Sequence, residues 1–116
     1  PWARDRWGDG SASRSLQQFL ANRGYAVLQV NYRGSSGYGR AHMDKAVGEF
    51  AGRMHDDLVD GVRWAVEQGV ADPLHVAIYG ASYGGYAALV GATSTPEMFA
   101  CAVDVVGVTD IARLLE

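Results

Sequence analysis

Apolar residues along this chain fall into two rhythms that alternate, and the alternation predicts the elements. Leu16, Phe19 and Leu20 recur at helical spacing between Ser11 and Asn22, with Ser11 or Ser13 placed to cap the start and Gly24 to stop the end. Tyr25 to Asn31 (YAVLQVN) then reads as a short strand bounded by glycines. A short helix over Ala41 to Val47 is broken by Gly48 to Gly52, and Leu58, Val62, Ala65 and Val66 share one face of a longer helix that Gly69 ends. Ala71-Asp72-Pro73 turns the chain into a second strand, His75 to Tyr79, which is followed by a helix over Tyr83 to Thr93 and a loop to Met98. A third strand, Cys101 to Val106, turns at Gly107 to Asp110 into a last helix that reaches Glu116. Helix and strand alternating in this order predict an α/β fold, a mostly parallel sheet with flanking helices.

Composition changes this picture little. Hydrophobic residues make up 48% of the chain and charged residues 20%, as in ordinary globular domains. A net charge of -3 and arginines scattered from Arg4 to Arg113 give no basic face, so no nucleic-acid partner is expected. Cys101 is the single cysteine, which excludes an internal disulfide and a cysteine-based zinc site; within CAVDVV it reads as a small core residue. Neither a signal peptide nor an apolar run of about 18 residues is present, so no membrane partner is expected and a cytoplasmic setting is favoured over a secreted one. Nothing calls for a metal or another cofactor. Trp2 and Trp7, in the loop PWARDRWGDG, are expected to pack on the fold, and the start at Pro1 suggests a piece of something longer.

The candidate chemistry lies between the second strand and its helix. Gly80-Ala81-Ser82-Tyr83-Gly84 has the G-x-S-x-G pattern of a nucleophile elbow, in which a sharp strand-to-helix turn lifts a serine hydroxyl clear of the backbone. Gly80 and Gly84 suit a turn with no room for side chains, and Gly85 lets the helix sit close. The helix would point its free N–H groups, that of Tyr83 first, at a developing oxyanion. In a chain with 15 glycines the pentapeptide alone says little, and the strand before it and helix after it carry the argument.

Asn31 to Arg40 (NYRGSSGYGR) leaves the carboxyl end of the first strand, where ligand sites of α/β sheets lie. It lacks the phosphate-loop lysine, and His42 stands where G-x-G-x-x-G needs glycine, so connecting and functional roles both stay open. Asp56, Asp57 and Asp60 read as helix-start and solvated-face residues, and Asp104 as a strand residue facing a polar neighbour. A serine nucleophile needs a base, usually histidine. His42, His55 and His75 all precede Ser82; His75 would lie about 20 Å away at the far end of the strand, and His42 and His55 read as surface residues. By itself the chain is expected to bind or position rather than catalyse.

PWARDRWG, NYRGSSGYGR and YGASYGGYAAL together resemble the prolyl oligopeptidase family of serine peptidases, especially its acylaminoacyl-peptidase and dipeptidyl-peptidase-like members. The resemblance implies a partial α/β-hydrolase fold, with residues 1–116 as the central part of one catalytic domain that is missing its first and last strands. It also implies a domain about twice this length preceded by a β-propeller, a short peptide as substrate, and no cofactor. Ser82 becomes the nucleophile and the Tyr83 N–H an oxyanion donor. A second donor would come from an HGG segment before Pro1, and the triad Asp and His from beyond Glu116. A carboxylesterase and a degenerate, non-catalytic binding module are the alternatives. One strand of the full sheet would run between those at Tyr25 and His75; without it two apolar edges are open, and the isolated piece is expected to fold poorly or aggregate.

Overall fold

A computed structural model describes residues 13–114, so Trp2, Trp7 and Ser11 lie outside the described residues. Its elements are α1 (Ser13–Asn22), α2 (Arg40–Asp44), α3 (Arg53–Glu67), β1 (Ala77–Ala81), α4 (Tyr83–Ser94), β2 (Cys101–Val105) and α5 (Ile111–Leu114). β1 and β2 form a parallel two-stranded sheet in register from Ala77↔Cys101 to Ala81↔Val105, with α4 as the crossover. The α/β expectation is met in this form. Among the described residues no helix is long and apolar enough to cross a membrane.

Three expectations about the strands and their residues need correcting. Tyr25 to Asn31 is not a strand: the sheet among the described residues is made of β1 and β2. It instead lies along α3, where a Cβ on Gly61 would meet Val30 Cγ2 at 2.8 Å, and Tyr25, Val27 and Leu28 stay exposed. β1 begins two residues later than His75 because Asp72 holds the preceding turn. Its side chain accepts from Leu74 N–H at 2.9 Å and lies 2.7 Å from His75 Nδ1, which keeps both residues out of the ladder. Cys101 is exposed rather than core, since β2 is exposed along its whole length.

The packed part of the chain is α4 against the sheet and α3. Gly85, Ala87, Ala88, Val90 and Gly91 of α4 are buried, and their small side chains let the helix backbone approach the strands. One close approach is at Gly85, where a Cβ would overlap the Asp104 carboxylate and come within 2.7 Å of Gly107 Cα. The Asp104 side chain thus lies against the backbone of Gly85 and Gly107. On α3, Met54, Val59 and Ala65 are buried alongside His55.

His55 is not the surface residue the sequence suggested. Thr95 Oγ1 donates to the Gly91 carbonyl (3.2 Å), so it accepts from His55 Nε2–H at 3.0 Å. That leaves Nδ1 bare, buried, and without a partner among the described residues. Burial lowers the His55 pKa below its ordinary 6.5, only partly opposed by Asp56.

Two outcomes follow from this packing, both measured on the full-length protein. The unfolded chain binds a proton at His55 near pH 6.5 and the folded one resists it, so stability is full above that value and falls as the pH drops below it. The melting temperature should fall from pH 7 to pH 5 more steeply in wild type than in His55→Gln; equal slopes would show that His55 does not titrate against burial. The second outcome concerns the turn out of β1. A Cβ at Gly80 would overlap the Gly84 carbonyl, whereas one at Gly84 would meet nothing within 4 Å. Gly80→Ala should therefore destabilise by about 1–3 kcal/mol or more through overpacking. Gly84→Ala should be neutral or stabilising, by up to ~1 kcal/mol of helix propensity, as read from urea melts.

Candidate active site

Ser82 stands alone between the last residue of β1 and the first of α4. Its backbone has φ 56 and ψ -118, a conformation that L-residues adopt at a cost of roughly 1–3 kcal/mol. Two bonds hold it there: Ser82 N–H donates to the Val105 carbonyl at the end of β2 (3.0 Å), and the Ser82 carbonyl accepts from Tyr86 N–H (3.1 Å). The residue is exposed. A strained backbone and an accessible hydroxyl at a helix start are the features an elbow requires, and strain of this kind is found at functional sites.

The flanking glycines divide the work differently from the expectation. Gly80 is needed because the Gly84 backbone folds back over it, and Gly85 because Asp104 and Gly107 press on it. Gly84 has open space where a side chain would be, so its lack of Cβ is not a steric requirement. Tyr83 opens α4, where backbone N–H groups have no carbonyl one turn back to receive them.

The Tyr83 side chain sits in an aromatic group that the sequence did not reveal. Its ring centroid is 4.8 Å from Phe50, edge on, 5.5 Å from Tyr86 and 5.9 Å from Tyr32. Its hydroxyl donates to Met54 Sδ at 3.3 Å. Burial raises its pKa well above the ordinary 10, and raises that of Tyr32 to about 12, so both stay neutral phenols.

Tyr32 brings the NYRGSSGYGR loop against the residue after Ser82, through its ring contact with Tyr83. His42 Nε2–H donates to the Tyr32 carbonyl (3.1 Å), and Gly34 N–H to the His42 carbonyl (3.0 Å), closing the loop on itself. His42 is thus half-buried rather than a plain surface residue. Beside Tyr32, Arg33 makes three bonds to Asp57 of α3: its backbone N–H and Nε–H to Oδ2 (2.9 and 2.8 Å), and Nη2–H to Oδ1 (2.6 Å). Those bonds hold the Asp57 carboxyl below its ordinary 3.8, so it stays ionised through neutral and mildly acid pH. The solvated-face expectation fails for Asp57 but fits Asp60, which is exposed beside Arg63 at 3.5 Å. Asp56 lies in the first turn of α3, as the helix-start reading has it, and the first helical N–H, that of Arg53, donates to Glu49 Oε2 at 3.1 Å. A signal was present: Asp57 falls three residues after Met54 and four before Gly61, on the stripe that packs inward.

Val106 was also missed. A β-branched residue at φ 50 is a genuine outlier, and it follows the strand end to which Ser82 is bonded. No histidine is bonded to Ser82: His42 engages Tyr32, His55 engages Thr95, and His75 engages Asp72 before the opposite end of β1. Among the described residues no cluster of three or more His, Cys, Asp or Glu could hold a metal ion. An apolar groove of 330 Å³, lined by Val62, Val66, Pro73, Val76 and Met98 among others, lies before β1 and not at its elbow end.

Comparison with known proteins agrees with this geometry. Residues 11–115 match the prolyl oligopeptidase family. Dipeptidyl aminopeptidase BIII of Pseudoxanthomonas mexicana is 56% identical over 115 residues, 99% of this chain and 16% of that protein. Dipeptidyl peptidase family member 6 of Caenorhabditis elegans is 45% identical over 116 residues, all of this chain and 15% of that protein. Acylamino-acid-releasing enzyme of Arabidopsis thaliana is 33% identical over 110 residues, covering 87% of this chain and 14% of that protein. The chain thus spans 16% or less of the length of these relatives. With its elbow at Ser82 and a match that runs almost from end to end, the chain belongs to the prolyl oligopeptidase family.

Proposed function

We propose that the protein carrying this chain is a serine peptidase that hydrolyses short peptides through an acyl-enzyme on Ser82. The observation that carries this is the backbone of Ser82, held at positive φ between β1 and α4 with its residue exposed. Family membership and relatives named as dipeptidyl and acylamino-acid-releasing peptidases support the substrate class.

In this reading Ser82 Oγ attacks the scissile carbonyl as a histidine takes its proton, and the carbonyl oxygen becomes an oxyanion that accepts from the Tyr83 N–H. The histidine returns the proton to the leaving amine, leaving an ester on Ser82 that water then hydrolyses by the same steps. None of the three histidines here is bonded to Ser82; by the pattern of the family, the triad His and Asp, and the second oxyanion donor, lie in parts of the protein outside this chain. Residues 1–116 are then the central part of one α/β-hydrolase domain that lacks its first and last strands here, and a β-propeller precedes it. Such a propeller would limit entry to short peptides.

A fluorophosphonate probe should label the full-length protein at Ser82, and Ser82→Ala should abolish labelling. Labelling that survives the substitution would place the nucleophile elsewhere, and a wild type that is never labelled would favour a degenerate binding module. Alanyl-alanyl-p-nitroanilide should be turned over with a higher kcat/KM than p-nitrophenyl butyrate relative to each uncatalysed rate; the reverse order would favour a carboxylesterase.

A further inference from the structure

Two tyrosines that touch at the elbow are each tied to the same face of α3, and the ties differ in kind. Tyr83 is tied by its hydroxyl to Met54 Sδ. Tyr32 is tied through its neighbour, because Arg33 binds Asp57 with one backbone and two side-chain bonds. Met54 and Asp57 are three residues apart on one helix and so lie on one face. The result is a closed ring of contacts: Tyr83 to Met54, along α3 to Asp57, across to Arg33, back one residue to Tyr32, and from its ring to that of Tyr83 at 5.9 Å.

The ion pair is the firmest link in that ring. Both side chains are about three-quarters buried, at 22% and 23% exposure, and the guanidinium meets the carboxylate in a two-pronged arrangement while the Arg33 backbone N–H adds a third bond. The other links are a ring contact and an O–H···S bond, which are individually weak. Opening the pair would free the loop, and with it the ring that backs Tyr83.

We propose that Arg33 and Asp57 are a positioning pair for the nucleophile turn: by fixing Tyr32 against Tyr83 they hold the Ser82–Tyr83 peptide in the orientation that oxyanion stabilisation needs. This rests on the function proposed for Ser82 and Tyr83. Neither Arg33 nor Asp57 is asked to touch substrate. The effect belongs in kcat, because an oxyanion donor acts on charge that develops after binding, and misplacement of about 1 Å at a reacting centre can lower rates ~100-fold. A purely structural pair would instead lower the amount of folded protein and leave each folded site at full speed.

The test uses full-length protein with Asp57→Asn and Arg33→Lys, both of which keep the volume close and the second of which also keeps the charge while losing the fork. Fluorophosphonate titration counts competent sites, and turnover of alanyl-alanyl-p-nitroanilide is expressed per titrated site. We expect kcat per site to fall about tenfold or more in both variants with KM within twofold, and hydrogen exchange to accelerate in the peptides covering residues 31–44 and 83–86. If either variant fails to fold, the other decides. Per-site kcat within twofold of wild type, whatever the change in melting temperature, would overturn the positioning role while leaving Ser82 as nucleophile. A wild type that the probe does not label would instead remove the nucleophile itself, and the pair's role with it.

Discussion

The structure depends on how closely a helix backbone can approach the strand it has just left. α4 starts one residue after β1 ends, so its first turn folds back over Gly80, and its next residue, Gly85, meets Asp104 and Gly107. A side chain at either glycine would push the helix outward, and the Ser82 peptide would lose its bond to the end of β2. The strain at Ser82 is sustained because the two strands and the helix converge on it from three sides. Tight packing and an exposed serine are thus one arrangement seen from its two sides.

Around this centre the chain is held by polar contacts more than by a large apolar core. Among the described residues the buried apolar ones are few and mostly small, with Met54 the largest fully buried side chain. α3 does much of the organising through its termini and its inward stripe: Asp57 on Arg33, Met54 on Tyr83, His55 on Thr95. Each contact joins α3 to a different part of the chain. That makes the helix the frame on which the loop after Tyr32 and the start of α4 are registered against each other.

The local features were legible in the sequence and the long-range ones were not. The glycines around Ser82, the apolar strand before it and the small-residue helix after it share one short stretch, so their meaning could be read from spacing. The helical stripe of α3 and the parallel character of the sheet were legible from local rhythm too. Asp57 was misread because an aspartate near a helix start has an ordinary explanation, and its partner Arg33 lies in a loop whose path no local rule predicts. Tyr25 to Asn31 had the composition of a strand, but a strand exists only by pairing, and composition does not name the partner. Cys101 looked like core by its neighbours, whereas burial depends on what covers the outer face of β2.

The crossover from β1 through α4 to β2 has one further consequence, for the order in which the site can assemble. Its ladder pairs strands that are one helix apart along the chain, so closing it costs little loop entropy, and Ser82 is set as soon as the strands meet. The junction of Arg33 with Asp57 closes over the same 24 residues as the ladder, so the contact that spans the greater distance along the chain is that of Tyr32 with Tyr83, which joins these two local units. The turn that presents the serine is therefore a local product of folding, while the aromatic wall that steadies its first helical peptide is completed only when the two local units dock.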